Sequence, residues 1–404
     1  MAQFGNKITQ NIAQRLRQVV GQGKDFVPLH TPEFLGREKE LVLDTIESGW
    51  VSSVGKYVDD FEAGIADVCG VSHGVAVANG TVALQICMLV AGVQPEDEVL
   101  IPALTFVATA NAVSHIGATP HFVDSAYDTL GLCPIKLAAH LNEIVDVQDG
   151  RSINRKTGKT IRAIVPVHVF GCPVDMDGLC DVAQRFNLVI VEDAAESLGS
   201  TYKGRACGSL GDIAALSFNG NKIITTGGGG VVVTDNPDWG TRAKHITTTA
   251  KTTHRWAFEH DEIAFNFRMP NLNAALGCAQ LEQLDARLLQ KQALFQAYRA
   301  AFFGFDDLTI FEAPANSYSN YWLNCLILSG PLKKQRDTLL DGLNDCGLMC
   351  RPVWNLMHGL SMYAECPRAD LSVAEDLAQR IINIPSSSYL ANASSGLALL
   401  KFWP

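Results

Sequence analysis

The sequence predicts an α/β protein: a large domain on a mostly parallel sheet between helices, followed by a smaller domain. Three observations carry this. Between about residues 73 and 235, short apolar runs alternate with helical segments, and repeated strand–helix–strand units build a parallel sheet buried on both faces. The 404 residues exceed the usual size of one hydrophobic core. A long helical pattern from about Asn271 to Phe302, through Leu281, Leu284, Leu288 and Leu294, then leads into a fresh run of elements.

In chain order, Ile8, Ile12, Leu16 and Val19 have the spacing of one short amphipathic helix within Met1 to Gln22. His73 to Ala78 reads as a strand and Thr81 to Val90 as a helix. Glu98 to Ile101 is a strand, Phe106 to Ile116 a helix, Thr119 to Val123 a strand and Ile135 to Ile144 a helix. Asp146 to Thr160 is polar and rich in turn formers, so it reads as a surface hairpin or loop inserted before a core strand. Arg162 to Val167 is a strand, Met176 to Phe186 a helix and Leu188 to Glu192 a strand. Ile213 to Phe218 and Gly230 to Thr234 are two more strands. In the second domain Tyr321 to Leu328 reads as a strand, with helices at Lys333 to Cys346 and Val373 to Ile382.

Composition narrows the function classes. The net charge of −10, with no Lys/Arg run, argues against a nucleic-acid partner. The start has no apolar stretch after a basic one, so no signal peptide is expected. No apolar run approaches the roughly 20 residues that span a bilayer, so no membrane partner is expected. The 11 cysteines are odd in number, irregularly spaced and free of C-x-x-C. They read as reduced thiols in a cytoplasmic protein, and no metal-ligand cluster is visible.

Ligands of parallel α/β sheets collect at the carboxyl ends of the strands, and four turns there carry chemistry. Asn79-Gly80-Thr81 opens a helix whose first N–H groups suit a phosphate, and it is equally an ordinary turn and N-cap. Phe106, in Pro102-Ala103-Leu104-Thr105-Phe106, can stack on a ring or be a core side chain. Asp193 follows the apolar run Leu188 to Val191. A carboxylate at a buried strand end needs a partner: a protonated pyridine nitrogen, a structural Arg or Lys, or a helix N-terminus that it caps. Lys222 lies just past a strand in Ser217-Phe218-Asn219-Gly220-Asn221-Lys222, before Gly227 to Gly230. An amine there can reach an aldehyde, although a lone lysine is ordinarily a solvated surface group. Ser217 can bind phosphate. The glycine run matches neither a dinucleotide fingerprint nor a P-loop.

In this order and spacing, over about Val27 to Ser387, these segments resemble the DegT/DnrJ/StrS family of sugar aminotransferases. The resemblance implies the fold-type-I architecture: a seven-stranded, mostly parallel sheet between helices in the large domain and a smaller α/β C-terminal domain. It implies pyridoxal 5′-phosphate (PLP, cycling with its amine form) as cofactor. The boundaries expected are an N-terminal helical arm at 1–30, the PLP-binding large domain at 31–290 and the small domain at 291–404.

By the same resemblance Gly80 and Thr81 match the phosphate turn, Phe106 the ring-stacking aromatic, Asp193 the partner of the pyridine nitrogen and Ser217 the phosphate serine. Lys222 matches the Schiff-base lysine. Glu196 stands where many members carry Gln or His against the cofactor's phenolic oxygen. Phe265-Asn266-Phe267-Arg268-Met269 is similar to a family motif whose asparagine reaches the cofactor phosphate of the neighbouring subunit, which implies a homodimer with shared sites. Asn266 and Arg268 can also be a helix-start cap and a surface charge.

Finer stretches point to one branch. Pro28-Leu29-His30, Val51 to Lys56, Pro166 to Gly171, Arg351-Pro352-Val353-Trp354 and Cys366 to Ile384 resemble the aminotransferases of legionaminic and related nonulosonic acid pathways. That branch implies a UDP-2-acetamido-2,6-dideoxy-hexos-4-ulose as acceptor and L-glutamate as donor. His30, His168, Arg268, Arg351 and Trp354 are candidates for contact with the sugar nucleotide, or for structural roles. The alternatives are a GDP-linked or 3-keto sugar, a sugar 3-dehydratase using the cofactor's amine form, and a non-catalytic sugar-nucleotide binding protein. Dehydratase relatives replace the lysine by histidine, so Lys222 favours transamination.

Overall fold

The computed structural model describes residues 2–22 and 25–393, so residues 394–404 of the expected small domain lie outside the described ones. Its centre is a nine-stranded sheet. In chain order its strands are β1 (His73–Val77), β2 (Glu98–Pro102), β3 (Thr119–Val123), β4 (Val145–Gln148), β5 (Arg151–Asn154), β6 (Thr160–Ile164) and β7 (Val189–Asp193). The short β8 (Thr201–Tyr202) and β9 (Arg205–Ala206) form a side ribbon, and β10 (Ile213–Ser217) and β11 (Gly230–Thr234) complete the sheet. The main path runs β1-β11-β10-β7-β6-β2-β3. These are the seven strands expected. On this path neighbours are parallel from β10 to β3 and β11 runs against both of its neighbours, as β5 does off the path. Residues 146–160 form most of the β4–β5 hairpin, which joins the sheet through Ser152 opposite Ile161.

The strands form where β-branched and apolar residues run without a polar alternation: β2 and β11 are buried along their whole length. Helices α1 (Ala2–Val20), α2 (Glu38–Glu47), α3 (Lys56–Cys69), α4 (Gly80–Val90), α5 (Val107–His115), α6 (Pro134–Ile144), α7 (Met176–Arg185) and α8 (Pro237–Thr247) precede α9 (Asn271–Leu281) and α10 (Leu284–Ala301). The expected continuous helix from Asn271 to Phe302 is therefore two. The apolar period continues across the break because Leu281, Leu284 and Leu288 all pack on the large-sheet core, before Leu294 and Tyr298 enter another. The break falls at Glu282 and Gln283, and the Gln283 amide turns away to Glu38 at 2.7 Å.

The second sheet has the order β12 (Leu308–Ile310), β14 (Asn324–Leu328), β16 (Ile381–Ile384), β15 (Arg351–Pro352), while β13 (Ser317–Tyr318) pairs with the side ribbon. The expected strand from Tyr321 starts three residues later, because Tyr321 takes a left-handed conformation (φ 45°). The helix expected from Lys333 to Cys346 is a 3-10 turn over Gly330–Gln335 followed by α11 (Arg336–Asp345). The helix expected from Val373 to Ile382 ends at Ala378 as α12 (Ser372–Ala378). Ile381 and Ile382 belong instead to β16, whose four residues are all buried and whose β-branched side chains fit a pleated core. A short α13 (Leu390–Ala393) follows.

Three apolar cores result, one of them between the large sheet and α6 and α7 through Leu100, Leu141, Ile164 and Leu179. Another fills the space between the large sheet and further helices, with Phe61, Leu84, Phe122 and Phe218 at its centre. The third joins α1, α10, α11 and the second sheet through Ile12, Leu16, Leu294, Tyr298, Leu326 and Ile382. Among the described residues no helix is long and apolar enough to cross a membrane.

Candidate active site

Because β1, β7, β10 and β2 point the same way, their carboxyl ends lie along one edge of the sheet. The turns that follow hold the sequence-selected residues. Asn79 caps α4, its side chain accepting from Val82 N at 2.9 Å. That leaves the first N–H groups of the helix pointing outward, as any helix start does. Ser217 closes the other side of this turn. A Cβ on Gly80 would lie 2.7 Å from Ser217 Cβ and 3.0 Å from its Oγ, so only glycine lets the helix start approach the serine this closely.

Asp193 ends β7 fully enclosed. Its Oδ2 accepts from Thr109 Oγ1 at 2.8 Å, and Oδ1 accepts from Ala195 N at 3.2 Å. Thr105 lies 2.9 Å from the Thr109 hydroxyl and completes a short chain. Burial pushes the Asp193 carboxyl up, while the Thr109 hydroxyl, the Ala195 N–H, Lys222 and His168 pull it down.

Lys222 sits in a turn pinned at several points. Its N–H donates to Asn219 O, and the Trp322 indole donates to Asn221 O at 2.6 Å. The amine is almost enclosed, with 13% of the side chain exposed. It lies 3.9 Å from the centre of the Trp322 ring and 3.5 Å from Glu196 Oε1. Glu196 is itself buried, and its Oε2 accepts from Phe170 N at 2.9 Å. Burial pushes the Glu196 carboxyl up to about 7, against the pull of Lys222 and the Phe170 N–H.

Phe106 is not the core side chain of the bland alternative. It stands at the N-cap of α5 with 51% exposure, its ring centroid 6.3 Å from that of Trp354. Trp354 also meets Phe170 at 5.2 Å, so the segment after β15 reaches into the same place. His30 arrives from the N-terminal segment. Burial holds its imidazole well below its usual range, helped by Lys291, Lys222 and Arg287. Its Nδ1 is buried and lacks a hydrogen-bond partner among the described residues.

These features test whether the cofactor implied by the sequence fits. A glycine–serine cradle beside a helix start suits a phosphate. A buried carboxylate suits a ring cation. An enclosed amine suits an aldehyde, and the orphaned His30 nitrogen awaits a polar partner. The residues fit.

His168 takes the structural of the two roles open to it. It is fully buried: Nε2 donates to Glu192 Oε1 at 2.9 Å, and Nδ1 accepts from Val174 N at 3.2 Å. Both nitrogens are committed to the interior, so it supports the site from beneath and does not line a pocket. Glu192 also accepts from Leu210 N and Gly211 N. The cluster His168, Glu192 and Cys207 is thus a satisfied core network. Asn266 is exposed and accepts from Arg268 Nε at 3.0 Å. Their segment bridges the outer edge of β1 at Val77. Arg351 is exposed, its guanidinium 3.5 Å from Cys350 O.

Thr105, Thr109 and Trp322 are the site residues that sequence reasoning missed. Thr109 stands one turn after Phe106 and could have been found as a hydroxyl on the inner face of that helix start. Trp322 is 100 positions from Lys222, and no local pattern links them.

The chain is similar to known proteins over most of its length. The profile of the DegT/DnrJ/EryC1/StrS aminotransferase family matches residues 34–395. The GDP-perosamine synthase of Caulobacter vibrioides is 36% identical over 369 residues, covering 91% of this chain and 95% of the relative. The GDP-perosamine synthase of Escherichia coli O157:H7 is 36% identical over 367 residues, with the same coverage of 91% and 95%. The crystal structure of the aminotransferase TlmJ from Streptoalloteichus hindustanus superimposes with a TM-score of 0.80 at 27% identity, over 92% of this chain and 97% of that one.

Proposed function

The chain belongs to the DegT/DnrJ/EryC1/StrS aminotransferase family, and from that premise we propose that it moves the amino group of L-glutamate to C4 of a UDP-linked 2-acetamido-2,6-dideoxy-hexos-4-ulose. It is a PLP-dependent sugar aminotransferase with the fold-type-I architecture. The observation that carries the residue assignment is one enclosed amine, Lys222, 3.5 Å from Glu196 and electrostatically coupled to Asp193, at the carboxyl ends of β7 and β10.

PLP, when bound, supplies an aldehyde for amines and a ring that spreads the electron pair left when a proton departs from the α-carbon. Every other part of the chemistry is assigned to the chain. Ser217 and the start of α4 at Gly80 and Thr81 hold the phosphate. Asp193, fixed by Thr109, keeps a ring nitrogen protonated. Phe106 offers an aromatic face. Lys222 Nζ takes the α-proton of glutamate in the first half of the cycle and returns a proton to the sugar C4 in the second. Donor and acceptor occupy the same place in turn, so ping-pong kinetics follow. Asn266 lies on an exposed edge, and we assign it to the phosphate of a partner subunit in a homodimer.

The second reading, a GDP-linked 4-keto-6-deoxy sugar, is favoured by the two relatives at 36% identity, both named GDP-perosamine synthase. Incubating the enzyme with L-glutamate and each keto sugar, UDP-linked and GDP-linked, separates the two by product mass. Amination of the UDP sugar alone supports the first reading, and amination of the GDP sugar alone overturns it in favour of the second. Borohydride reduction tests the core assignment. The pyridoxyl label should sit on Lys222 and vanish in Lys222→Ala; a label elsewhere sinks the site.

A further inference from the structure

Glu196 is an ionisable acid placed against the reacting amine, and its surroundings say what it does. Its Oε1 lies 3.5 Å from Lys222 Nζ with 4% of the side chain exposed, and Oε2 is anchored by Phe170 N. Phe170 holds a left-handed conformation (φ 55°) to present that N–H, which is strained for a bulky residue. The anchor leaves Oε1 aimed at the amine.

Which carboxylate takes the proton of the amine is set by the other partners of each. Two enclosed carboxylates, Asp193 and Glu196, face the single amine of Lys222. From the strand beneath, His168 is committed to Glu192. From the N-terminal segment His30 is held neutral by burial. From α10, Lys291 is bonded to the carbonyls of Trp322 and Ser386, and Arg287 to Glu33 O. A buried ion pair is relieved of its desolvation cost when the proton passes from the cation to the carboxylate and both become neutral. Asp193 has two hydrogen-bond donors and, in the assignment above, a ring cation. Glu196 has one backbone donor and the amine, so the proton goes to Glu196.

We propose that Glu196 is the proton-exchanging partner of Lys222, the two side chains sharing one proton that passes directly between Nζ and Oε1. In the transfer an N–H bond of the ammonium breaks, its electron pair stays on nitrogen, and an O–H bond forms on Oε1. The ion pair becomes a neutral amine and a neutral acid, with no other bond and no redox change. Each time Lys222 must act as an amine, its surplus proton has a home inside the closed site. This deepens the proposed function and rests on the assignment of Lys222 made there. Burial places the Glu196 carboxyl at about 7, so the exchange is poised near neutral pH.

The experiment is a pH titration, from acid to alkaline, of the bound-cofactor absorbance of the holoenzyme in its amine-cofactor form, in which the Lys222 amine is free, paired with infrared difference spectra over the same range. The wild type should show an absorbance transition near pH 7, and the carbonyl stretch of a protonated carboxylic acid should disappear through the same transition. Glu196→Gln should shift the absorbance transition by about one pH unit or more and lose the infrared signal, while Glu196→Asp should keep the signal. Superimposable titrations of wild type and Glu196→Gln overturn the proposal. If the Gln variant does not hold cofactor, the wild-type infrared spectrum decides, and absence of a titrating acid band near pH 7 overturns it. Where the borohydride label is on Lys222 and either of these negative results is found, only this inference falls. Where the label is not on Lys222, the proposed site falls with it.

Discussion

Thr109 governs Asp193 more than its chemistry suggests. Asp193 is enclosed, and burial alone drives its carboxyl toward the neutral form, which could not hold a ring cation. The Thr109 hydroxyl at 2.8 Å does most to oppose burial. Thr109→Val keeps the shape and removes the donor. A hydrogen bond to a charged group is worth about 1.5–3 kcal/mol, and not all of it is felt in the transition state. We expect kcat/KM to fall about tenfold or more, with Thr109→Ser restoring most of it. Steady-state assays of both variants check this, and equal rates for Val and Thr would remove Thr109 from the site. Asp193→Asn should keep some cofactor and lose about a hundredfold or more in kcat, the scale of deleting an electrostatic stabiliser; turnover equal to wild type would make the ring-cation assignment wrong. Lys222 and Asp193 were legible as candidates because Asp193 closes an apolar strand and Lys222 lies in a short, distinctive turn just past another. Thr109 and Trp322 were not, since a threonine in a helix and a distant tryptophan acquire meaning only when the chain brings them within 4 Å of their targets.

Elements place these residues, and two of them can be tested alone. The start of α4 approaches β10 so closely that Gly80→Ala sets a methyl against Ser217 at 2.7 Å. Alanine favours a helix over glycine by roughly 1 kcal/mol, so the helix itself should not suffer. Cofactor affinity should fall about tenfold or more as the cradle opens, measured by equilibrium titration of the stripped protein, with an unchanged Kd refuting the cradle. At the opposite edge of the sheet, a buried polar chain ties the β4–β5 hairpin to the core. Glu98 accepts from His121 Nδ1 at 2.7 Å and Asn154 Nδ2 at 2.9 Å, and His121 Nε2 meets His140 Nε2 at 2.8 Å.

Burial, with the nearby His121, lowers the His140 imidazole to about 4. A histidine whose folded value lies below its unfolded value of about 6.5 stabilises the fold fully above that pH. That stability is lost as the pH drops toward 4. His140 is partly open to water, so the contribution is on the order of 1–2 kcal/mol after screening. Urea unfolding from pH 7 to pH 4 should therefore show a shallower decline for His140→Gln than for the wild type, and parallel declines would refute it. The 146–160 hairpin was visible in the sequence as a cluster of turn formers, whereas its anchoring through Glu98 was not. The break inside 271–302 was hidden because Leu281, Leu284 and Leu288 keep a helical spacing across it. Ile381 and Ile382 read as helix because a four-residue strand after a helix shows no alternation when both of its faces are buried.

At the scale of the whole molecule the surface is unfinished. Trp256, Phe258 and Ile263 are 74%, 79% and 99% exposed in the segment that leads to Asn266, and Trp50, Val54 and Phe106 are also more than half exposed. Exposed apolar side chains, where they cluster, mark surfaces that meet a partner. The twofold arrangement expected of a homodimer would place the segment carrying Asn266 over the other subunit's helix start. This has a consequence that a site complete within one chain does not share. In a mixed dimer of a Lys222→Ala subunit and an Asn266→Ala subunit, one site carries both lesions and the other carries neither. Random mixing of equal amounts gives about half mixed dimers, each with one intact site of two, so activity should recover to about a quarter of wild type. If Asn266 instead serves its own chain, every site carries one lesion and mixing restores nothing. Each variant should be assayed alone, then mixed and refolded together, with dimer mass confirmed by sedimentation. Recovery to near a quarter would establish a site built from two copies, and an unchanged baseline would place Asn266 within its own subunit.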